Sequence, residues 1–206
     1  MLAKLKRLPN LFLYYINVYN QMERSIVTIT EPEAYPMTSQ NRQPASRFCF
    51  VCGRENANGL QMNFFSDQHK VWAEFTPQDH HQSWPGIVHG GILSTVLDET
   101  IGRVAFLYDK WVQTGKLELK FRKPAPLGEA LWVEAELIRD AGRAMEMKGL
   151  IKLKRTNEVL VEASGLFIRI PEQEKQKLLA SLGEEFSDWE NWFAQTRQSV
   201  TQSSLL

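Results

Sequence analysis

"GIVHGGILSTVLDETIG" (residues 86–102) joins a tight glycine turn to an apolar run, and sets one aspartate, Asp98, inside that run. Gly90 and Gly91 let the backbone turn sharply into a helix. Ile92, Leu93, Val96, Leu97, Ile101 and Val104 then fall in one broad stripe at about 100° per residue, so a helix is expected from about Gly90 to Tyr108. Asp98 lies off the centre of that stripe. Its helical neighbours Ser94, Thr95 and Gly102 are all small, which leaves room beside the carboxylate. Glu99 and Arg103, four apart, read as a surface or interface ion pair.

Two readings of Asp98 are open at this point. One is a solvated polar face. The other is a catalytic base, because the helix start supplies unpaired N–H groups and the positive end of the dipole, a place for an anion or a developing oxyanion. Geometry constrains the second reading. Gly90 and Asp98 are eight residues apart, roughly 12 Å along a helix axis. One small reacting group cannot touch both in one chain. Cooperation requires a second copy whose helix runs the other way, hence a homodimer with sites at its interface.

Outward from the helix, "LQMNFF" (60–65) and "KVWAEF" (70–75) read as a hairpin around "SDQH". "TGKLELKF" (114–121) alternates, with Leu117, Leu119 and Phe121 on one face, as a half-buried strand does. "PAPLG" (124–128) ends it. Three further strands are expected over Glu129–Ile138, Arg143–Lys154 and Leu160–Ile170, separated by turns at "DAG" and "RTNE". One long helix plus an antiparallel meander predicts an α+β fold, the sheet curled around the helix.

The flanks differ in pattern. Residues 1–45 read as an N-terminal arm, with a helix near 10–24 and a polar, proline-bearing linker from Glu31 to Ser46. Residues 46–170 read as the domain, and 171–206 as a helical extension. In the extension Leu179, Leu182, Phe186, Trp189 and Phe193 form a stripe expected to pack on the domain or a partner chain. Gly183 is a candidate break, and "QSVTQSSLL" a frayed end.

Composition bounds the function. The chain has 206 residues, 43% of them hydrophobic, enough for one sizeable core. Lys+Arg 24 against Asp+Glu 24 gives no net charge, so no global field draws the protein to nucleic acid. No apolar run reaches the ~18–20 residues of a membrane span. The opening, with Lys4, Lys6 and Arg7 and no acidic residue before Glu23, lacks a clear secretory cleavage site. It fits an organelle-targeting segment or a helical arm; the arm and a cytoplasmic location are the expectation.

The two cysteines, Cys49 and Cys52, are too few for a disulfide scaffold and carry half of a zinc-site spacing. His80 and His81 are the candidates to complete it. Without a second cysteine pair the block reads as a turn into the first strand, and no metal or cofactor is called for.

At His89-Gly90-Gly91 and Asp98 the sequence resembles the hotdog-fold acyl-CoA thioesterases, in particular the phenylacetate-pathway thioesterase group and its mammalian relatives. Their signature is His-Gly-Gly with an acidic residue nine positions after the histidine. "CFVCGRENANGLQMNFF" (49–65) and "TGKLELKFRKPAPLG" (114–128) resemble two further blocks of that family, and the likeness covers roughly residues 48–170. It implies a helix wrapped by an antiparallel sheet, acyl-CoA as substrate, and homodimers or dimers of dimers. It implies Asp98 as the catalytic carboxylate and Gly90 as the oxyanion-hole amide, with His89 shaping the helix start, Gly91 binding substrate and Thr114 assisting the attacking water or carboxylate. Ser83 stands where some members carry an asparagine, and Gln82 is adjacent. Arg122, Lys123 and Arg143 are candidates for coenzyme A phosphates, against ordinary surface charge as the alternative. A non-catalytic acyl-CoA-binding protein of the same fold is the rival reading.

Overall fold

In a computed structural model, the described residues are 37, 42–183 and 188–195, all within the compact unit Ala34–Leu206. The expected N-terminal helix, most of the linker, Phe186 and the C-terminal end lie outside the described residues.

Six strands form one antiparallel sheet: β1 (Phe64–Ser66), β2 (Lys70–Phe75), β3 (Val112–Phe121), β4 (Leu131–Asp140), β5 (Ala144–Leu153) and β6 (Glu158–Arg169). Their order across the sheet is β1-β2-β4-β5-β6-β3. The helix α1 (Gly90–Gly102) lies against this sheet, as the apolar stripe requires. Val96, Leu97 and Ile101 are completely buried, together with Val133 and Ile151 on the strands. The α+β expectation therefore holds, with strand limits that differ by about two residues at most for β4 to β6.

Three local differences have physical causes. The first strand is shorter than expected because Gln61 adopts φ 50°. Residues 60–62 instead pair back on the cysteine loop, through Leu60 N–H to Phe50 O (2.8 Å) and Met62 N–H to Val51 O (2.8 Å). The central helix is α-helical only to Gly102; Arg103–Tyr108 tighten into a 3-10 turn that ends at Asp109, φ 53°. The Glu99–Arg103 pair is not a surface feature: the Arg103 side chain is 3% exposed. Its Nε donates to Glu99 (2.9 Å) and its Nη1 to Pro44 O (3.0 Å) and Gln43 Oε1 (3.3 Å), while its guanidinium lies 4.3 Å from the Phe64 ring centre.

The start of α1 is closed by His89. Its Nδ1 accepts the Gly91 N–H at 2.9 Å, and its own N–H donates to His81 O at 2.8 Å. The ring replaces one of the four helix donors' missing partners.

After β6, α2 (Glu172–Leu182) follows Pro171, and Gly183 at φ 58° breaks it. Residues 188–195 are helical. Trp189, Trp192 and Phe193 are buried with Trp111, and Leu179 and Leu182 pack on the same cluster. Phe106 meets Trp189 edge-on at 4.7 Å between ring centres. The described part of the apolar stripe thus packs on the domain of its own chain.

Two stability measurements follow from this packing. Trp189→Ala in the full chain should lower the urea-unfolding free energy by about 3–5 kcal/mol, the range for a large aromatic lost from a packed cluster. His89→Ala should cost about 1 kcal/mol through the lost cap, and His89→Asn, which keeps an acceptor, should cost less. Equal losses for the two His89 variants would show that the cap bond does not contribute.

Candidate active site

Asp98 leaves α1 on the side facing β3. Thr114 Oγ1 donates to Asp98 Oδ1 at 2.8 Å. The carboxylate is half-buried and the threonine exposed, so the pair sits at the rim of the domain. Ser94 and Thr95 turn their hydroxyls back to Gly90 O (2.8 Å) and Gly91 O (2.9 Å), leaving the space beside Asp98 to Thr114.

An irregularity in β3 places that threonine. The register against β6 shifts between Thr114, opposite Phe167, and Lys116, opposite Leu166, so Gly115 is the extra residue of a bulge. A Cβ on Gly115 would lie 2.9 Å from Ile168 Cγ1 and 3.2 Å from Leu166 O. The bulge therefore needs a residue without a side chain. Gly115 shapes the site and was absent from the sequence-based set; its signal was a lone glycine inside an alternating strand.

At the other end of α1 the two glycines differ. The Gly91 N–H is taken by His89, and a Cβ on Gly91 would be 2.9 Å from His89 Nδ1. The Gly90 N–H has no acceptor among the described residues and points out of the helix start. The Phe121 ring is its neighbour, 3.5 Å from where a Gly90 Cβ would stand. Because Nδ1 of His89 is an acceptor, the proton of a neutral ring sits on Nε2. His89 is thus a cap that leaves Gly90 as the available donor.

The loop before the helix is also held. Val88 N–H donates to Ala125 O (2.9 Å) and Ser83 N–H to Ile87 O (2.9 Å). Gln82 Oε1 accepts the Gly86 N–H at 2.9 Å, so this side chain closes the loop. His81 Nδ1 accepts the Gln78 N–H at 2.9 Å. Burial, and then the neighbouring His80, push the His81 pKa below its ordinary value and favour the neutral ring that can accept this bond.

Asp98 and Thr114 are brought together; Asp98 and Gly90 are not. Both belong to one continuous α-helix, about 12 Å apart along its axis. The candidate phosphate-binding cations also differ among themselves. Arg122 Nη2 pairs with Glu162 at 2.7 Å and Lys123 Nζ with Glu158 at 2.5 Å. Arg143 is exposed beside the β4–β5 turn, with no side-chain partner among the described residues. Among the described residues no helix is long and apolar enough to cross a membrane.

Comparison with known proteins supports the fold and the resemblance. Residues 85–160 match a family model described as thioesterase superfamily. Acyl-coenzyme A thioesterase THEM4 of Rattus norvegicus is 33% identical over 91 residues, which cover 44% of this chain and 39% of that protein. Acyl-coenzyme A thioesterase THEM5 of Homo sapiens is 26% identical over 112 residues, 54% of this chain and 45% of that protein. The matched stretches thus span less than half the length of these relatives. Among solved structures, a thioesterase superfamily protein superposes with a TM-score of 0.56 at 25% identity, covering 81% of this chain and 84% of its own. The E. coli PaaI protein, from the phenylacetic acid degradation operon, gives a TM-score of 0.51 at 14% identity over 54% of this chain and 81% of its own. The chain has the hotdog fold, and its His-Gly-Gly and aspartate block lies within the stretch that resembles the thioesterase superfamily.

Proposed function

We propose that the protein hydrolyses an acyl-CoA thioester to a free acid and coenzyme A, at a site shared between two copies of the chain. The observation that carries this reading is a carboxylate fixed by a hydroxyl, Asp98 with Thr114, on the same helix as the acceptor-free N–H of Gly90. The resemblance to acyl-CoA thioesterases supports the substrate class.

In this mechanism the thioester carbonyl oxygen lies against the Gly90 N–H and the positive end of α1. As the carbonyl carbon becomes tetrahedral, its oxygen gains charge that the N–H and dipole stabilise. A preorganised donor of this kind contributes about 3–4 kcal/mol. Asp98 from the facing copy acts in one of two ways. As a general base it takes a proton from water while the water oxygen bonds to the carbonyl carbon. As a nucleophile it bonds to that carbon, and water then cleaves the mixed anhydride. Either way the C–S bond breaks and the sulfur leaves as the coenzyme A thiolate. Thr114 holds the carboxylate, and its oxygen can orient the water.

Two features support a second copy. The roughly 12 Å between Gly90 and Asp98 excludes a site within one helix. The outer edge of β3 pairs with no strand among the described residues and offers ten residues of backbone for pairing with another β3. Arg143, free of a carboxylate partner among the described residues, is the most readily available of the three cations for a coenzyme A phosphate. Arg122 and Lys123 would first have to leave Glu162 and Glu158.

Thiol release from a panel of acyl-CoAs tests the reading. Asp98→Asn should lower turnover by at least about 100-fold. Gly90→Pro removes the proposed oxyanion donor at the first helical position, where proline is tolerated, and should also abolish turnover while leaving the fold intact. Refolding the two variants together should restore activity, to about a quarter of wild type for random pairing, because one site of each mixed dimer is intact. No recovery despite mixed dimers would place both groups in one chain. Tight acyl-CoA binding without thiol release from any of the panel would favour the non-catalytic binding protein.

A further inference from the structure

Cys49, Cys52 and Glu99 bring two thiol sulfurs and a carboxylate oxygen within 4.8 Å of one another. The carboxylate comes from α1, the thiols from the loop before β1. We propose that these three residues bind a zinc-type divalent cation, with a fourth coordination position open to water. The site lies outside the thioester chemistry proposed above and does not depend on it.

The spacing suits such an ion. Tetrahedral zinc with sulfur at about 2.3 Å and oxygen at about 2.0 Å sets neighbouring ligand atoms roughly 3.5–3.8 Å apart. Cys49 Sγ is 3.8 Å from Glu99 Oε2. A cation between the three atoms therefore needs a contraction of only a few tenths of an ångström along that edge.

The loop is built to present the sulfurs. Gly53 N–H closes it on Cys49 O at 2.9 Å, and a Cβ on Gly53 would stand 2.4 Å from that same oxygen, so only glycine fits. The Val51 N–H donates to Cys49 Sγ at 3.4 Å and fixes the direction in which that sulfur is presented. Glu99 is oriented as well: Arg103 Nε holds Oε1 at 2.9 Å and turns Oε2 toward Cys49. Outer partners of this kind commonly fix a carboxylate ligand.

Glu99 is already paired with buried Arg103, so a divalent ion would bring the positive charge that two coordinated thiolates need. Two thiolates and one carboxylate favour zinc over magnesium or calcium, which prefer all-oxygen sites. Half-exposed Cys49 and Glu99 give a path in, while Cys52 is 2% exposed.

The inference departs from the expectation drawn from sequence, which called for no metal. The histidines considered there, His80 and His81, are not in the cluster; the third ligand is Glu99, 47 residues beyond Cys52 and invisible to short-range spacing.

The test is cobalt(II) titration of the full chain, purified under a non-thiol reductant and stripped with chelator. About one equivalent per chain should produce sulfur-to-cobalt charge transfer in the near ultraviolet and the visible bands of tetrahedral cobalt, both abolished by zinc. Cys52→Ser should remove the charge transfer, and Glu99→Gln should weaken binding at least about 10-fold. Glu99→Cys should restore tight binding with stronger charge transfer. The stripped wild type, whose fold is checked by circular dichroism, gives the baseline against variants that fold poorly. The proposal is overturned if the stripped protein shows no thiolate–cobalt absorption, or if binding survives loss of both cysteines. It is equally overturned if the two thiols are recovered as a disulfide under these conditions.

Discussion

The structure depends on one constraint: a single sheet must bury a single helix. α1 spends Leu93, Val96, Leu97, Thr100 and Ile101 on that contact, and its remaining faces are what the protein has left for chemistry. Helical periodicity then fixes where the polar groups go. With 97 and 101 turned to the sheet, residue 98 is rotated about 100° toward the side where β3, the outermost strand, runs. Thr114 is there to meet it. The same burial anchors the helix start, so that the Gly90 N–H is held in place by the core behind it. In the proposed mechanism, the preorganisation of a donor at the start of α1 and a carboxylate two turns further on would be a by-product of this packing.

Arg103 shows how the outlying segments are joined to that core. Its guanidinium reaches Glu99 on its own helix, Pro44 and Gln43 before the sheet, the Phe64 ring on β1 and, at 5.8 Å, the Trp189 ring. A buried ion pair of this sort adds little net stability by itself, since two charges must leave water. Its effect is on specificity. Removing Glu99 would strand the buried Arg103 charge, a loss of about 3–5 kcal/mol, and the neutral Pro44 and Gln43 acceptors tie their segment to the same guanidinium.

What could be read in the sequence was what local periodicity carries. The stripe from Ile92 to Ile101 and the alternation around Leu117 and Leu119 need only neighbours within a few residues, and both held. The glycines after His89 likewise placed the helix start, whereas its end, expected near Tyr108, falls at Gly102. Arg103 was misread because an i, i+4 pair looks the same on a surface as in a core; what buries it is Phe64 and Trp189, far away in the chain. The position of Glu99 against Cys49 was hidden for the same reason. Gly115 is an intermediate case. A glycine inside an alternating strand signals a bulge, but which side chain the bulge redirects depends on the register with β6.

The edge of β3 ties these points to the proposed function. Natural sheets seldom leave a long edge unpaired, because free N–H and C=O groups invite pairing, and no strand among the described residues covers the outer edge of β3. Here the edge carries an exposed phenylalanine, Phe121 at 42%, on the strand that also holds Thr114. The Phe121 ring lies 3.5 Å from where a Gly90 Cβ would stand. In the proposed dimer, covering that edge would remove the aromatic surface and the unpaired backbone from water. The same event would carry Gly90 of one copy toward Asp98 of the other, running antiparallel. Association would then not be a separate requirement added to catalysis. In that proposal, the edge left unpaired among the described residues would also be the surface across which the two groups come together as one site.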